Sequence, residues 1–101
     1  MATFQSIFVP DSTTDQSATL GATTSTAEIV LGANTKIAII ASGAFNIRFG
    51  NAGMGAASAT NFQIPSSAIA EYDLGDHQDR LRIFNPGAST ITYWITKLYD
   101  A

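Results

Sequence analysis

The chain has 101 residues, a net charge of −3 and 13% charged residues, about half the charged share of an ordinary soluble domain. This length predicts a single domain, spanning residues 1–101, with one core. The acidic balance disfavours nucleic acid as a partner, because phosphate binding needs clustered Lys and Arg. The absence of cysteine excludes disulfides and zinc–thiolate sites, and no apolar run has the length of a membrane span.

Short runs of alternating apolar and polar residues predict an all-β fold of about eight strands. The first strand is predicted to end at Pro10 and Asp11, and the Ser/Thr-rich segment 11–26 to form an extended arm or loop around a short edge strand. The later strands are predicted over 27–31, 36–41, 45–49, 62–64, 68–74, 80–84 and 91–98. This pattern favours an antiparallel β-sandwich, and eight strands make a jelly roll its most natural form.

An internal repeat predicts the core. Residues 36–50 recur in altered form as residues 80–94, and each copy is predicted to be a β-hairpin around a tight turn. The turn at Asn85-Pro86-Gly87 suits type II, with Gly87 at positive φ. The apolar positions of the repeat and of the last strand predict these buried residues: Ile39, Phe45, Ile47, Phe49, Leu81, Ile83, Ile91, Tyr93 and Ile95.

The residues that could perform chemistry are few. His77 is the single histidine, and no serine in a Gly-x-Ser-x-Gly turn is present to act as its nucleophile. Its neighbours Asp73, Asp76 and Asp79 do not have the spacing of an EF-hand calcium loop and suit ordinary turns. The glycines of segment 50–60 lack the lysine and helix of a phosphate cradle, so a mobile surface loop is predicted there. The sequence therefore predicts no enzyme activity, catalytic residue, metal or cofactor.

Trp94 is a better functional clue. In the last strand, Ile91, Tyr93 and Ile95 share one face, whereas Trp94 and Leu98 belong to the other. If the first face fills the core, Trp94 and Leu98 point outward, and an exposed Trp indicates a protein contact or stacking on a sugar. A strand buried on both faces, or covered by a loop, explains the same alternation equally well.

Three stretches resemble small virion proteins of tailed bacteriophages: 36–50, which ends in Ile-x-Arg-Phe-Gly; 59–65, with Ala-Thr and x-Ile-Pro; and the closing 82–93. The resemblance extends over residues 27–99. It implies a β-sandwich on the capsid exterior, as a decoration or cement protein or a related head or tail accessory, and typically an oligomer, often a trimer. The implied partner is the major capsid protein, and the implied location is the virion surface after synthesis in the host cytoplasm.

Two functions are therefore expected from the sequence. The first is a non-enzymatic virion protein that binds the outside of a phage capsid and stabilises it, with these candidate interface residues: Asp11, Thr13, Thr14, Met54, Trp94 and Leu98. The alternative is a carbohydrate-binding or host-attachment module on a virion or cell surface. Its sugar contacts would come from Trp94, Tyr93, Tyr72 and the turn 76–79.

Overall fold

The computed structural model describes the backbone of residues 8–100 and the side chains of residues 16–98. Within this range the chain forms eight strands: β1 (Phe8–Leu20), β2 (Ile29–Val30), β3 (Lys36–Ala41), β4 (Phe45–Gly50), β5 (Phe62–Ile64), β6 (Ala70–Asp73), β7 (Arg80–Phe84) and β8 (Ile91–Asp100). They form two four-stranded sheets. Sheet A has the strand order β1-β8-β3-β6, and sheet B has the order β2-β7-β4-β5.

The strand pairing is nested. β1 pairs with β8, β2 with β7, β3 with β6 and β4 with β5, and every pair is antiparallel. The first half of the chain therefore runs back along the second half as one long double strand, which folds over into two sheets. Eight strands in two packed sheets with this order form a jelly roll, and the predicted fold class is confirmed.

The core lies between the two sheets and is formed by the inward-facing positions of the strands. Eight of the nine predicted core residues belong to it, and Phe49 packs against it. Phe49 is the one that is partly buried, and its ring meets the ring of Tyr72 edge-on, with the ring centroids 4.9 Å apart. Because β4 and β6 belong to different sheets, this aromatic pair joins the sheets across the core.

The two copies of the repeat are not hairpins, so that prediction is wrong. β3 and β4 lie in different sheets, as do β7 and β8, and each turn therefore carries the chain from one sheet to the other. The copies instead pair with each other, β3 with β8 and β4 with β7, and supply the two central strands of both sheets. Alternation identifies the residues that face the core. It does not distinguish strands that bond side by side from strands that face each other.

The turn after β7 is held by a side chain. The φ of Gly87 is not positive, so the predicted type II turn is wrong. The buried Asn85 accepts a hydrogen bond at Oδ1 from the Gly87 N–H at 2.9 Å. Its Nδ2 lies 3.1 Å from the carbonyl oxygen of Leu20, 3.2 Å from that of Gly21 and 2.8 Å from that of Ser89. Asn85 thereby ties this turn to the end of β1.

The first strand is predicted over residues 4–9, of which 4–7 lie outside the described residues; β1 begins at Phe8 and includes much of segment 11–26. The strand continues through Pro10. β1 is an edge strand of sheet A, where a proline is tolerated because its missing N–H need not interrupt the ladder. The register then shifts between Asp11 and Gln16, and this bulge takes up the additional residues. As far as Leu20, the segment predicted to be an arm is therefore a paired strand.

Candidate binding surface

The outer face of sheet B is covered by the chain's own glycine-rich loop, residues 51–61. Ala57 of this loop is buried, and so is Asn46, which faces outward from β4. Asn46 Nδ2 donates to the carbonyl of Asn61 at 2.8 Å, and the Ala57 N–H donates to Ser25 Oγ at 3.1 Å. The segment predicted to be a mobile loop is thus fastened to the sheet beneath it.

Two outward-facing arginines hold the same loop through its carbonyl groups. Arg48 Nη1 donates to the carbonyl of Ala56 at 3.2 Å, and Arg82 Nη1 donates to that of Met54 at 3.2 Å. Arg82 also donates from Nε to the carbonyl of Thr26 at 2.8 Å. These hydrogen bonds place a guanidinium against carbonyls that have no strand partner, which is how an irregular segment satisfies its backbone.

An ion-pair cluster closes the side of the loop next to β7. Arg80 Nη1 donates to Glu28 Oε1 at 2.6 Å, and Arg80 Nε donates to Asp79 Oδ1 at 3.0 Å. The second oxygen of Glu28, Oε2, accepts from the Gly53 N–H at 2.9 Å. The hydrogen bonds from Arg80 lower the pKa of Glu28 and of Asp79, and the two carboxylates raise the pKa of Arg80.

Acid is expected to loosen the loop at Gly53 before the fold unfolds. The pKa of Glu28 in the folded chain lies below its ordinary value of 4.5. The stabilisation that the Glu28 carboxylate gives the loop through the Gly53 N–H is therefore fully present above pH 4.5 and is lost as the pH falls through the pKa of the folded chain. Amide exchange of Gly53, followed by NMR from about pH 3 to 7 and corrected for intrinsic rates, should show this loss. In Glu28→Gln the exchange should already be roughly threefold faster at neutral pH.

The control for this experiment is Glu71→Gln, which changes an exposed carboxylate on the other sheet. It should leave the exchange of Gly53 unchanged at every pH. If the exchange rate of Gly53 in the wild-type protein also stays unchanged as the pH falls, Glu28 does not hold the loop.

The outer face of sheet A has no comparable cover within the described part of the chain, and one row across its strands is apolar. Trp94 of β8 lies directly opposite Ile40 of β3, and Ile69, just before β6, borders the same depression in the surface. Trp94 is 47% exposed and Ile69 is 69% exposed. Because neighbouring strands lie about 4.8 Å apart, the three side chains form an apolar ridge roughly 10 Å across.

A groove runs beside this ridge because the next row has a small residue at its centre. Ala38 lies between Thr96 on β8 and Glu71 on β6, and because its side chain is only a methyl group the surface is depressed there. We refer to this depression as the Trp94 groove. The residues that line it include Ser17, Ala38, Ile40, Ile69, Trp94 and Thr96. Glu71, the neighbour of Ala38 on β6, lines the adjoining depression together with Lys36 and Leu98.

The row on the far side of the groove is charged. Lys36 lies opposite both Leu98 and Asp73, and its Nζ is 3.9 Å from Asp73 Oδ2. Glu71 is exposed and forms no ion pair with any described residue. Next to the β6 side of the Trp94 groove there is therefore a carboxylate that forms no ion pair with a described residue.

The structure brings together some of the predicted interface residues. Trp94 and Leu98 share the outer face of sheet A, and Trp94 is exposed, so of the two alternatives left open for this strand the outward orientation of Trp94 is the one found. Met54 belongs to loop 51–61 on the outer side of sheet B, where it is half-buried and its carbonyl accepts from Arg82. The other three lie in β1, and their side chains are outside the described residues: Asp11, Thr13 and Thr14.

Three residues of the surface were missed in the sequence: Ile40, Ile69 and Glu71. A signal for each was present. Ile40 follows the inward-facing Ile39 and must point the opposite way in a strand, and Ile69 and Glu71 alternate with the small inward-facing Ala70. No feature of the sequence indicated that β6 lies beside β3, which is what places these residues around one groove.

The residues proposed for sugar contacts are not assembled into one site. Tyr93 is buried and Tyr72 packs against Phe49, and burial raises the pKa of both tyrosines. The turn 76–79 follows the Asp73 end of β6, two rows of side chains away from Trp94. Of the proposed set, Trp94 is the residue that presents its ring on the outer face of sheet A.

His77 lies on the surface, with 94% of its side chain exposed and its Nε2 3.3 Å from Asp76 Oδ1. Among the described residues, no three His, Cys, Asp or Glu side chains are grouped closely enough to hold a metal ion. That part of the chain also contains no helix with the length and hydropathy to cross a membrane.

Comparison with known proteins supports the fold alone. No protein-family model matches the chain, and no curated protein is significantly similar to it. The chain is similar to a de novo designed double-stranded β-helix solved by solution NMR, with a TM-score of 0.60 and 15% sequence identity over 82% of this chain and 96% of the designed one. At this identity the likeness concerns the path of the strands and carries no inference about activity.

Proposed function

We propose that this chain is a non-enzymatic structural protein of a tailed-phage particle that binds the outside of the capsid and stabilises it. The sequence resemblance over residues 27–99 suggests this class of protein. The observation that carries the proposal is the open outer face of sheet A. An exposed Trp beside two exposed or half-buried isoleucines, on a sheet face that no described segment of the chain covers, is suited to contact with another protein.

The mechanism is mass action on the shell. A protein that binds assembled capsomers, and not free subunits, lowers the free energy of the assembled state by an amount that grows with its concentration. If one molecule contacts neighbouring capsomers, or if several molecules are joined, the second contact becomes intramolecular and the stabilisation increases. The partner is then the major capsid protein, and the location is the capsid surface.

Sheet B offers a route to the trimer expected from the resemblance. Its two edge strands, β2 and β5, carry exposed apolar side chains, Val30 at 59% exposure and Phe62 at 71%. Contacts between unlike edges of neighbouring copies generate a closed ring when the rotation permits. Light scattering at micromolar concentration is expected to give about three times the chain mass of 10.6 kDa. A mass of one chain in solution, and also on capsids, would contradict the trimer.

Trp94→Ala is expected to weaken attachment to capsids about 30-fold, because truncating an aromatic residue at the centre of an interface removes about 2 kcal/mol. The measurement is co-sedimentation with shells of the phage that encodes the chain, over a range of concentrations. Thermal unfolding should be nearly unchanged, since the side chain lies on an open surface.

The control is His77→Ala, which truncates a ring that is exposed on the turn after β6. It should alter neither attachment nor stability by more than about 0.5 kcal/mol. Loss of attachment in His77→Ala with none in Trp94→Ala would contradict the assignment of the outer face of sheet A.

A carbohydrate-binding or host-attachment module is the second candidate. The observation that favours it is the polar surround of Trp94, where Gln16, Ser17 and Thr96 place amide and hydroxyl groups beside an exposed indole. Aromatic rings flanked by hydrogen-bonding groups suit the apolar face and hydroxyls of a sugar ring. Binding to a glycan array that is lost in Trp94→Ala, without any binding to shells, would select this function over the first.

A further inference from the structure

We propose that the Trp94 groove accepts a segment of a different protein that presents a Lys or Arg beside apolar side chains. The proposal rests on the proposed function and deepens it, since it names the chemistry of the partner surface. It depends on two features of the described residues. One is the unneutralised charge at the β6 end of the groove, and the other is the commitment of the chain's own cations elsewhere.

The groove is apolar at its centre and acidic at one end. An apolar side chain of the partner can lie on the floor at Ala38, against the ring of Trp94 and the side chain of Ile40. Glu71 is the direct neighbour of Ala38 on β6, about one strand spacing of 4.8 Å away. Asp73 follows two residues later on the same edge strand. A cation next to the apolar group would therefore meet the carboxylate of Glu71, whereas Asp73 lies beside Lys36.

A second copy of this chain cannot readily supply that cation. Its three arginines are engaged on sheet B: Arg48 and Arg82 donate to loop carbonyls, and Arg80 is paired with Glu28 and Asp79. Lys36 lies beside Asp73, and Lys97 also has an interaction partner. With a net charge of −3, two copies facing each other across this groove would bring acidic surfaces together. The charge complementarity thus favours a heterologous partner.

The first test uses charge reversal on shells. Glu71→Lys should weaken co-sedimentation with the phage's shells about tenfold or more, because it places like charges together. Asp76→Lys makes the same charge change on a side chain that is 73% exposed in the turn after β6, and should stay within about twofold of the wild type. Raising NaCl from about 0.05 to 0.5 M should weaken the wild type more than Glu71→Gln. Equal binding of Glu71→Lys and Asp76→Lys would overturn the proposal.

The second test does not depend on the shells, so it distinguishes a failure of this inference from a failure of the proposed function. If the wild type does not bind shells at all, the proposed function fails, and the inference is then decided by two synthetic peptides. One alternates Leu with Lys, and the other has Glu at each Lys position. The Leu-Lys peptide should shift the Trp94 indole NMR signal of the wild type at least about tenfold more strongly than the Leu-Glu peptide, and Glu71→Lys should reverse that order.

Three results would overturn the proposal. Equal response to the two peptides would exclude a role for charge. A fall in solution mass in Trp94→Ala would show that a second copy covers the groove. Binding to a neutral glycan that is lost in Trp94→Ala and unchanged in Glu71→Lys would show that the groove takes a sugar.

Discussion

Asn85→Ala is expected to destabilise the fold by about 3 kcal/mol, which for a domain of this size lowers Tm by about 15 °C. The Asn85 amide is fully buried, and its Nδ2 lies within hydrogen-bond distance of carbonyl groups of Leu20, Gly21 and Ser89. Removing it leaves the buried carbonyl of Leu20 without this partner and breaks part-buried hydrogen bonds to Gly21, Ser89 and the Gly87 N–H. Thermal and denaturant unfolding measure the loss.

Asn51→Ala is the matched control. Asn51 is exposed and its side chain donates one hydrogen bond, to the carbonyl of His77 at 2.8 Å. Truncating it should cost less than about 1 kcal/mol, because water can replace that bond. Comparable losses in Asn51→Ala and Asn85→Ala would show that burial of the Asn85 network does not stabilise the jelly roll.

The composition of the core was predictable from the sequence, whereas the partners of its strands were not. The alternation around Ile39, Ile47, Ile83 and Ile91 correctly identifies the inward-facing positions. That alternation is the same whether a turn joins two strands of one sheet or carries the chain between sheets. What separates the two cases is the pairing of β3 with β8 over a long sequence separation, and such pairing leaves no local signal.

No local pattern in the sequence indicates that loop 51–61 covers the outer face of sheet B. The outward-facing Arg48 and Arg82 look like solvated charges in the sequence, and the glycines of loop 51–61 look like markers of mobility. In the fold the two arginines donate hydrogen bonds to carbonyls of the loop. The loop in turn covers Asn46, and its own Ala57 is buried. With the arginines used in this way on sheet B, Glu71 beside the Trp94 groove has no ion pair with a described residue.

Of the candidate surface, Trp94 was identifiable because large aromatic residues at outward positions are uncommon. The rest of the groove depends on sheet order. Ser17, Trp94 and Ile40 lie on three adjacent strands of sheet A although the first and second are far apart in sequence. The small side chain of Ala38 sets the depth of the groove, and an alanine beside isoleucines in β3 gives no sign of that role in the sequence.

The second large effect is expected at Ile91, where the core meets the turn between β3 and β4. Ile91→Ala should cost about 2–5 kcal/mol, the range for truncating a buried aliphatic side chain. A Cβ placed on Gly43 would lie 2.5 Å from Ile91 Cγ2, closer than two carbons can approach. Gly43→Ala should therefore cost about 1–3 kcal/mol by forcing the turn and the side chain apart.

The two changes are expected to be strongly coupled, because Ile91→Ala removes the atom that Gly43→Ala would meet. In the Ile91→Ala background, Gly43→Ala should cost less than about 0.5 kcal/mol, which gives a coupling energy of about 1 kcal/mol or more in a double-mutant cycle. Gly21→Ala is the control, since its added Cβ would lie 3.8 Å from the nearest atom, Thr24 Oγ1. It should change the free energy of unfolding by no more than about 0.5 kcal/mol. Additive losses at Gly43 and Ile91 would show that this turn does not pack against β8 as the fold requires.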